Sequence, residues 1–231
     1  MLQDIHIPHQ LTGRELDLYL AHGWYRMGPA IFTTHAITLQ GWIYPVQWLR
    51  IRLEQMEVRP GLQKLMRQNR HLSVSVRPLE VNDELDQLYA RYYDGISFEA
   101  SPTIADFLLC GASNTAYDSY VVQLRTDTGQ LAAAGIYDQG ENSIAGIMNF
   151  YDPAFQKSSP GKYLMLLKAL IAREAGMLYY YPGYIATGMS KFDYKKQLAP
   201  EATEYYDPAG MCWHPLSELP PSEILPIPSP H

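Results

Sequence analysis

The sequence predicts an α/β (α+β) chain: a mixed, mostly antiparallel sheet flanked by helices, with a small β-rich region near the N-terminus. Three observations carry this. Residues 120 to 151 form three β-rich runs separated by Thr126-Asp127-Thr128-Gly129 and Asp138-Gln139-Gly140-Glu141, the Asp and Gly chemistry of hairpin turns. An apolar run from Tyr163 to Ile171 follows Ser159-Pro160-Gly161, which suits the opening of a buried helix. Trp24 to Leu53 is rich in Ile, Val, Trp and Phe and is broken by Gly28-Pro29 and Gly41, which reads as two or three strands.

In chain order, Thr12-Gly13-Arg14-Glu15 is a capping box, and Leu16, Leu18, Tyr19 and Leu20 carry a helix to a stop at Gly23. After the β-rich stretch, Arg59-Pro60-Gly61 opens a helix through about His71. Leu62, Leu65 and Met66 share one of its faces, while Lys64, Arg67 and Arg70 recur on another. Leu72 to Val76 alternates as a strand, and Asn82 caps a helix to about Tyr93. A short helix spans Ile104 to Leu109 ahead of the three-strand meander. A strand from Leu178 to Ile185 follows the helix Pro160 to Ala175. From Pro200 prolines accumulate, and the tail after Leu219 reads as an extension over the surface. Boundaries are expected at 1–72 for an N-terminal helix, β-rich segment and basic helix, 73–206 for the main domain, and 207–231 for the proline-rich extension. The order helix, helix, meander, helix, strand matches acyltransferase domains of the acetyltransferase (GNAT) superfamily. There a strand splays from its neighbour and admits a ligand, which places the expected opening at Tyr151 to Gly161.

Composition narrows the function. At 231 residues, with 47% hydrophobic and 18% charged residues, the chain is long enough for a substantial core. No run approaches the roughly 20 apolar residues of a membrane helix, and the start lacks the regions of a signal peptide, so a cytoplasmic location is expected. Cys110 and Cys212 are far apart, which leaves no disulfide framework or thiolate cluster; each reads as a small buried apolar residue. Histidines such as His22, His35 and His71 lack ligand spacing, so no metal is expected. The net charge of -6 is uneven: residues 1–79 hold nine Lys+Arg against five Asp+Glu, or +4, leaving nine against nineteen, or -10, in residues 80–231. Any nucleic-acid contact is therefore local and lies toward the front.

Two stretches are candidate binding elements. Ser159 caps a helix, Pro160 suits its first turn and Gly161 permits close backbone approach, so free amides and the positive end of the helix dipole face an anion. The same residues also make an ordinary helix start. Lys64, Arg67 and Arg70 form either a phosphate-contacting strip or a solvated face with its stems on the core.

Several segments together carry a family resemblance: Tyr151-Asp152-Pro153, Ser159-x-Gly161-x-Tyr163, Gly183-Tyr184-Ile185 and Lys191-Phe192-Asp193-Tyr194-Lys195. They resemble the C-terminal half of the arginyl-tRNA-protein transferases, a family that includes the leucyl-transferring bacterial enzymes of the N-end degradation pathway. Gly23-Trp24-Tyr25-Arg26-Met27-Gly28 is similar to its Gly-Phe-Arg-Arg-Ser-Gly segment. Leu49-Arg50-Ile51 and Lys64-Leu65-Met66-Arg67-Gln68-Asn69 are similar to its Leu-Arg-Ile and Arg-x-x-Arg-Arg-Asn pattern. The similarity runs from about Leu18 to Tyr206. Gln68 and Phe192 depart from the family's arginine and methionine, and Ile43 and Val46 stand where its N-terminal cysteine cluster would continue. Metal or cluster binding and redox control are therefore not carried over.

The resemblance implies transfer of an arginyl or leucyl group from charged tRNA to the α-amine of a protein N-terminus, with aminoacyl-tRNA as co-substrate and no resident cofactor. The ester is already activated, and an α-amine of pKa about 7.7 to 8 is partly neutral near neutrality. Positioning and oxyanion stabilisation are what remain for the protein. On that view Ser158, Ser159 and Gly161 face the terminal ribose-phosphate with Tyr163 beside them. Tyr184 and Tyr194 stack on the terminal adenine or relay a proton, and Asp193 grips a cationic aminoacyl group or the acceptor amine. Lys191, Lys195 and Lys196 meet phosphate or an acidic acceptor residue, and Lys64, Arg67 and Arg70 follow the acceptor stem. Tyr179 to Tyr181 read as half-buried strand residues with wet hydroxyls. Two other functions fit the same order of elements. One is an acetyl-CoA N-acetyltransferase, although its phosphate loop wants a small residue where Tyr163 stands. The other is a noncatalytic tRNA- or peptide-binding protein.

Overall fold

A computed structural model describes residues 2–226, without the side chains of residues 2, 3, 190 and 191. The last five positions of the expected tail and the side chain of Lys191 lie outside the described residues. The order is β1 (Leu2–His6), α1 (Gly13–Ala21), β2 (Tyr25–Met27), β3 (Ala30–Thr34), β4 (Ala36–Leu39), β5 (Trp42–Arg52), α2 (Pro60–Asn69), β6 (Ser73–Pro78), α3 (Asp83–Asp94) and α4 (Ile104–Leu109). It continues with β7 (Ser119–Arg125), β8 (Leu131–Gln139), β9 (Ser143–Tyr151), α5 (Pro160–Glu174), β10 (Tyr179–Ala186), β11 (Thr203–Asp207), β12 (Cys212–Pro215) and β13 (Leu225–Pro226). None of the described helices is long and apolar enough to cross a membrane.

The expected mixed, mostly antiparallel sheet is present. Its main path runs β12-β11-β5-β10-β9-β8-β7-β6, with β4 and β13 also on β5, and a separate sheet is ordered β1-β3-β2. β5, from the β-rich segment near the N-terminus, lies inside the large sheet between β11 and β10. Trp24 to Leu53 holds four strands rather than two or three, because Ile37 to Leu39 turns back on Trp42 to Tyr44. Beyond Pro200, where no strand was expected ahead of the tail, Tyr205 to Asp207 pair with Cys212 to His214 as a hairpin on β5.

Helices cover both faces of the sheet. Val122 and Leu124 of β7 pack in the cluster centred on α5, whereas Val121 packs with Leu85, Leu88 and Ile104 of α3 and α4, as alternate residues of a strand must. β8 is buried on both sides, and its run Ala132-Ala133-Ala134-Gly135 lets α5 come close: a Cβ at Gly135 would lie 3.3 Å from the Leu164 side chain. α5 accordingly buries residues all round its circumference. The capping box at Thr12 and the Asn82 cap form as expected, with Glu15 and Leu85 donating their amides.

One buried residue of α5 is polar. Lys168 is 1% exposed, and its Nζ donates to the carbonyls of Ile136 at 3.1 Å and Met148 at 3.4 Å. The β8–β9 register slips just there, between Ile136↔Met148 and Tyr137↔Gly146, so Ile147 is the extra residue of a bulge. The ammonium takes up carbonyls at a break in the ladder, where hydrogen bonds would otherwise go unmade. Burial holds it down to about 7, with Asp138 opposing that shift. The folded chain then keeps this proton only below about pH 7, whereas an unfolded lysine keeps it to about 10.4, so stability rises with pH across that window. In denaturant titrations from about pH 7.5 to 9, the wild type should gain up to about 1.4 kcal/mol per pH unit relative to Lys168→Met. Parallel curves for the two proteins would remove the buried amine from this account.

Candidate functional site

A fork between β9 and β10 forms the candidate site. The two strands pair in parallel only at Tyr179↔Ser143, Tyr180↔Ile144 and Tyr181↔Ala145. β10 then follows β5 out to Ala186↔Val46, while β9 follows β8 out to Tyr151↔Ala133. Pro182, which has no N–H, and Gly183, at φ +86, stand where β10 turns away; the β5 register slips between Tyr180 and Gly183. Gly146 faces them, and a Cβ there would lie 2.5 Å from the Tyr180 hydroxyl.

The crotch of the fork is tied by β2. Tyr25 Oη is a donor within reach of the Gly146 carbonyl and of the Tyr181 carbonyl at 3.2 Å, one from each arm. Burial raises this phenol well above its usual range, so it remains a donor. The adjacent Arg26 is anchored with all five donors engaged: Nε on the Gly28 carbonyl, Nη1 on Asp138 and Ser119, Nη2 on the Leu108 carbonyl and Thr115. The Arg26–Asp138 contact of 2.8 Å is buried, and Ser119 donates to the same carboxylate oxygen.

Three cavities meet around the fork. One of about 440 Å³ fills it, lined by Phe32, Phe107, Ile147, Met148, Tyr184 and Lys195 among others, with no carboxylate among the described residues of its wall. One of about 700 Å³ opens past Tyr151, Ser159 and Gly161 to Tyr184 and Tyr194, with Glu99 as its acidic wall residue. A third, of about 490 Å³, lies between α2 and α5, lined by Arg59, Lys64, Gln68, Ser159 and Lys162. Tyr194 lines all three.

The start of α5 borders this trough. Ser159 holds the N-cap position, but in the left-handed region (φ 54, ψ 51), and its side chain caps nothing. That corrects the expected serine cap, because the preceding 3-10 turn over Pro153–Ser158 delivers Ser159 in the left-handed region rather than the extended conformation a side-chain cap uses. Pro160 has no N–H, and among the described residues the Gly161 and Lys162 amides take no acceptor; the first bonded amide is Tyr163, on the Ser159 carbonyl at 3.1 Å. Gly161 is half-exposed, 3.4 Å from the Tyr151 ring for a built Cβ, so this edge remains open.

Residues 84–204 match the family model described as arginine-tRNA-protein transferase, C terminus. The chain belongs to this family. The aspartate/glutamate leucyltransferase of Maricaulis maris is 29% identical over 174 residues, covering 74% of this chain and 66% of the relative. That of a Jannaschia species is 30% identical over 150 residues (63% and 52%), and that of Stenotrophomonas maltophilia 25% identical over 219 residues (90% and 82%). Thus the chain spans two thirds or less of the first two relatives' lengths. Among solved structures it aligns loosely with the ribosomal-protein-S18-alanine N-acetyltransferase of Escherichia coli, at TM-score 0.37 and 17% identity over 55% of this chain and 76% of that one. FemX aligns at TM-score 0.42 and 10% identity, over 75% and 60%.

The family's motif residues fall in different places. Ser159, Gly161, Tyr184, Tyr194 and Lys195 line the trough. Ser158 does not; its hydroxyl donates to the Phe155 carbonyl at 2.9 Å. Tyr163 is buried in the core under α5 rather than beside the opening, so its ring obstructs no ligand there. Asp193 is 47% exposed and pairs with Lys196 at 2.6 Å, outside the cavity walls. Lys64 and Arg67 on α2 and Arg70 at its C-cap are exposed, and Lys64 reaches the third cavity. Tyr180 and Tyr181 are buried, contrary to the wet hydroxyls expected, because the fork folds their rings between strands and helix. Cys110 is exposed and Cys212 half-buried, neither in the core; Cys110 takes the left-handed C-cap of α4 (φ 46), which turns it outward.

Four residues were missed at the level of sequence: Tyr25, Asn69, Asn149 and Lys168. Asn69 is fully buried and donates to the Leu65 and Ser158 carbonyls, fixing the basic helix against the approach to α5. Asn149 donates to the Gly161 carbonyl at 3.3 Å, tying β9 to the first turn of α5. Their signal was present, since Tyr25 and Asn69 sit inside the quoted family segments, but a charged neighbour in each segment drew the functional reading.

Lys195 is the titratable group that matters here. Its Nζ donates to the Tyr184 carbonyl at 2.9 Å, lies 5.2 Å from the Phe192 ring centroid, and is held down to about 7 by burial. By surface exposure the side chain is half-buried. Burial raises the Tyr184 and Tyr194 phenols, which stay protonated. Gly146→Ala should force the Tyr180 ring aside and lower stability by about 1 to 3 kcal/mol in denaturant unfolding. Adding Tyr180→Phe should restore part of that loss; no restoration would place the clash elsewhere.

Proposed function

We propose that the chain transfers a leucyl group from charged tRNA to the α-amine of a protein whose first residue is acidic. The observation that carries this is the set of three cavities that share Tyr194, one along the basic edge of α2, one past the free amides of α5 and one in the fork. The tRNA acceptor stem lies along Lys64, Arg67 and Arg70, where cations without neighbouring acids attract phosphate. The terminal phosphate meets the Gly161 and Lys162 amides at the positive end of α5. The terminal adenine stacks on Tyr194 or Tyr184.

Leucine rather than arginine is supported by the wall of the fork cavity, which is apolar and aromatic, carries Lys195 and offers no carboxylate to a guanidinium. The names of the relatives point the same way. The acceptor nitrogen attacks the ester carbonyl, the bond to the 3' oxygen breaks, and that oxygen takes up a proton. Neutral Lys195, with a pKa near the working pH, accepts the proton the amine loses. Asp193 and Lys196 hold one another outside the walls and serve the loop rather than the reaction.

Incubation of the full chain with an Asp- or Glu-starting peptide and leucyl-tRNA, arginyl-tRNA or acetyl-CoA, read by mass spectrometry, tests the reading. A leucyl addition is expected; an acetyl addition alone overturns it. Lys195→Met should lower kcat by at least about 100-fold and flatten the acid limb of the pH profile near neutrality. In filter binding, Lys64→Ala/Arg67→Ala/Arg70→Ala should weaken tRNA binding and reduce the salt slope by about one per cation removed.

A further inference from the structure

Away from the fork, the β11–β12 hairpin gathers a thiol, an imidazole and a carboxylate around one point. Asp207 ends β11 directly opposite Cys212, and His214, two residues on, shares the face of Cys212. Cys212 Sγ lies 3.2 Å from His214 Nε2, that nitrogen lies 3.9 Å from Asp207 Oδ2, and all three atoms fall within 4.8 Å of one another. More than a third of the Asp207 and His214 side chains is exposed, so an ion has access. We propose that Asp207, Cys212 and His214 form a binding site for Zn²⁺ or a similar late transition ion on this hairpin.

The geometry suits a cation better than a nucleophilic relay. A relay sets the nucleophile and the orienting carboxylate on opposite nitrogens of the ring, whereas here both approach Nε2. Thiolate plus imidazole selects zinc and its neighbours over magnesium or calcium, and three protein ligands leave the fourth tetrahedral position to water. Ideal Zn–S and Zn–N bonds place sulfur and nitrogen about 3.5 Å apart, so the pair parts by only a few tenths of an ångström.

The carboxylate is already oriented. Asp207 Oδ1 accepts from the Ala209 amide at 2.9 Å, and Oδ2 from the Gly210 amide at 3.2 Å. Gly210 also keeps the space clear, since a Cβ there would lie 2.9 Å from both Asp207 Oδ2 and Cys212 Sγ. On binding, Cys212 releases its proton to solvent as the metal–sulfur bond forms.

Cobalt titration of the full chain in a Cys110→Ser background tests the site, because Co²⁺ reports thiolate ligation and tetrahedral geometry by absorption. One Co²⁺ per chain is expected, with a thiolate-to-cobalt charge-transfer band that Zn²⁺ displaces. Cys212→Ser should abolish the band; His214→Gln, Asp207→Asn and Gly210→Ala should each weaken binding at least tenfold, with circular dichroism checking that each variant is folded. Absence of the band in the Cys110→Ser parent overturns the proposal whether or not the variants fold. So does a band that survives Cys212→Ser.

Discussion

The early end of the parallel pairing between β9 and β10 is the constraint on which the rest of this structure depends. Three residue pairs hold the strands together before Pro182 and the bulge at Ile147 send them apart. A sheet that parts in its middle exposes unpaired backbone, and the fold answers on each arm with a side chain from elsewhere. Lys168 covers carbonyls on the β9 side, Lys195 covers the Tyr184 carbonyl on the β10 side, and Tyr25 spans the crotch. The same groups that make the opening tolerable thus line or support it.

That arrangement explains why the chain keeps ionisable groups where apolar ones would pack more cheaply. Arg26 and Asp138 are both buried, and such a pair is not by itself a gain in stability. What it secures is position: the guanidinium touches β2, α4, the segment before β7 and the end of β8, so Tyr25 is presented to the fork from a rigid base. Asn69 does the same for the basic helix, fixing its distance from the free amides of α5 through the Ser158 carbonyl. The trough is therefore bounded by elements whose spacing is set by buried hydrogen bonds, as the proposed transfer by orientation would require.

Much of the fold was legible in the residues. The helices opened at Thr12, Pro60, Asn82 and Ile104, and the meander of β7, β8 and β9 turned where Asp and Gly allowed it. The Ser159-Pro160-Gly161 start was read correctly as a helix opening with free amides, though Ser159 itself does not cap. Less legible were contacts made across more than a hundred residues, such as Tyr25 with Gly146 or Asp17 with Ser143, which no local pattern encodes. Cys212 read as a small buried apolar residue because its neighbours in space, Asp207 and His214, come together only through the pairing of β11 with β12.

By itself the sequence determined the period of its apolar residues, the caps and breakers that bound each element, and the family segments in order from Gly23 to Lys195, because these are properties of neighbours along the chain. Only the tertiary structure decided which motif residues face the trough. Tyr163 and Tyr180 went into the core, Tyr184 and Tyr194 to the walls, and Asp193 out to Lys196. The physical reason is that a side chain's surroundings depend on which strand or helix lies across from it, and that is settled where β9 and β10 separate.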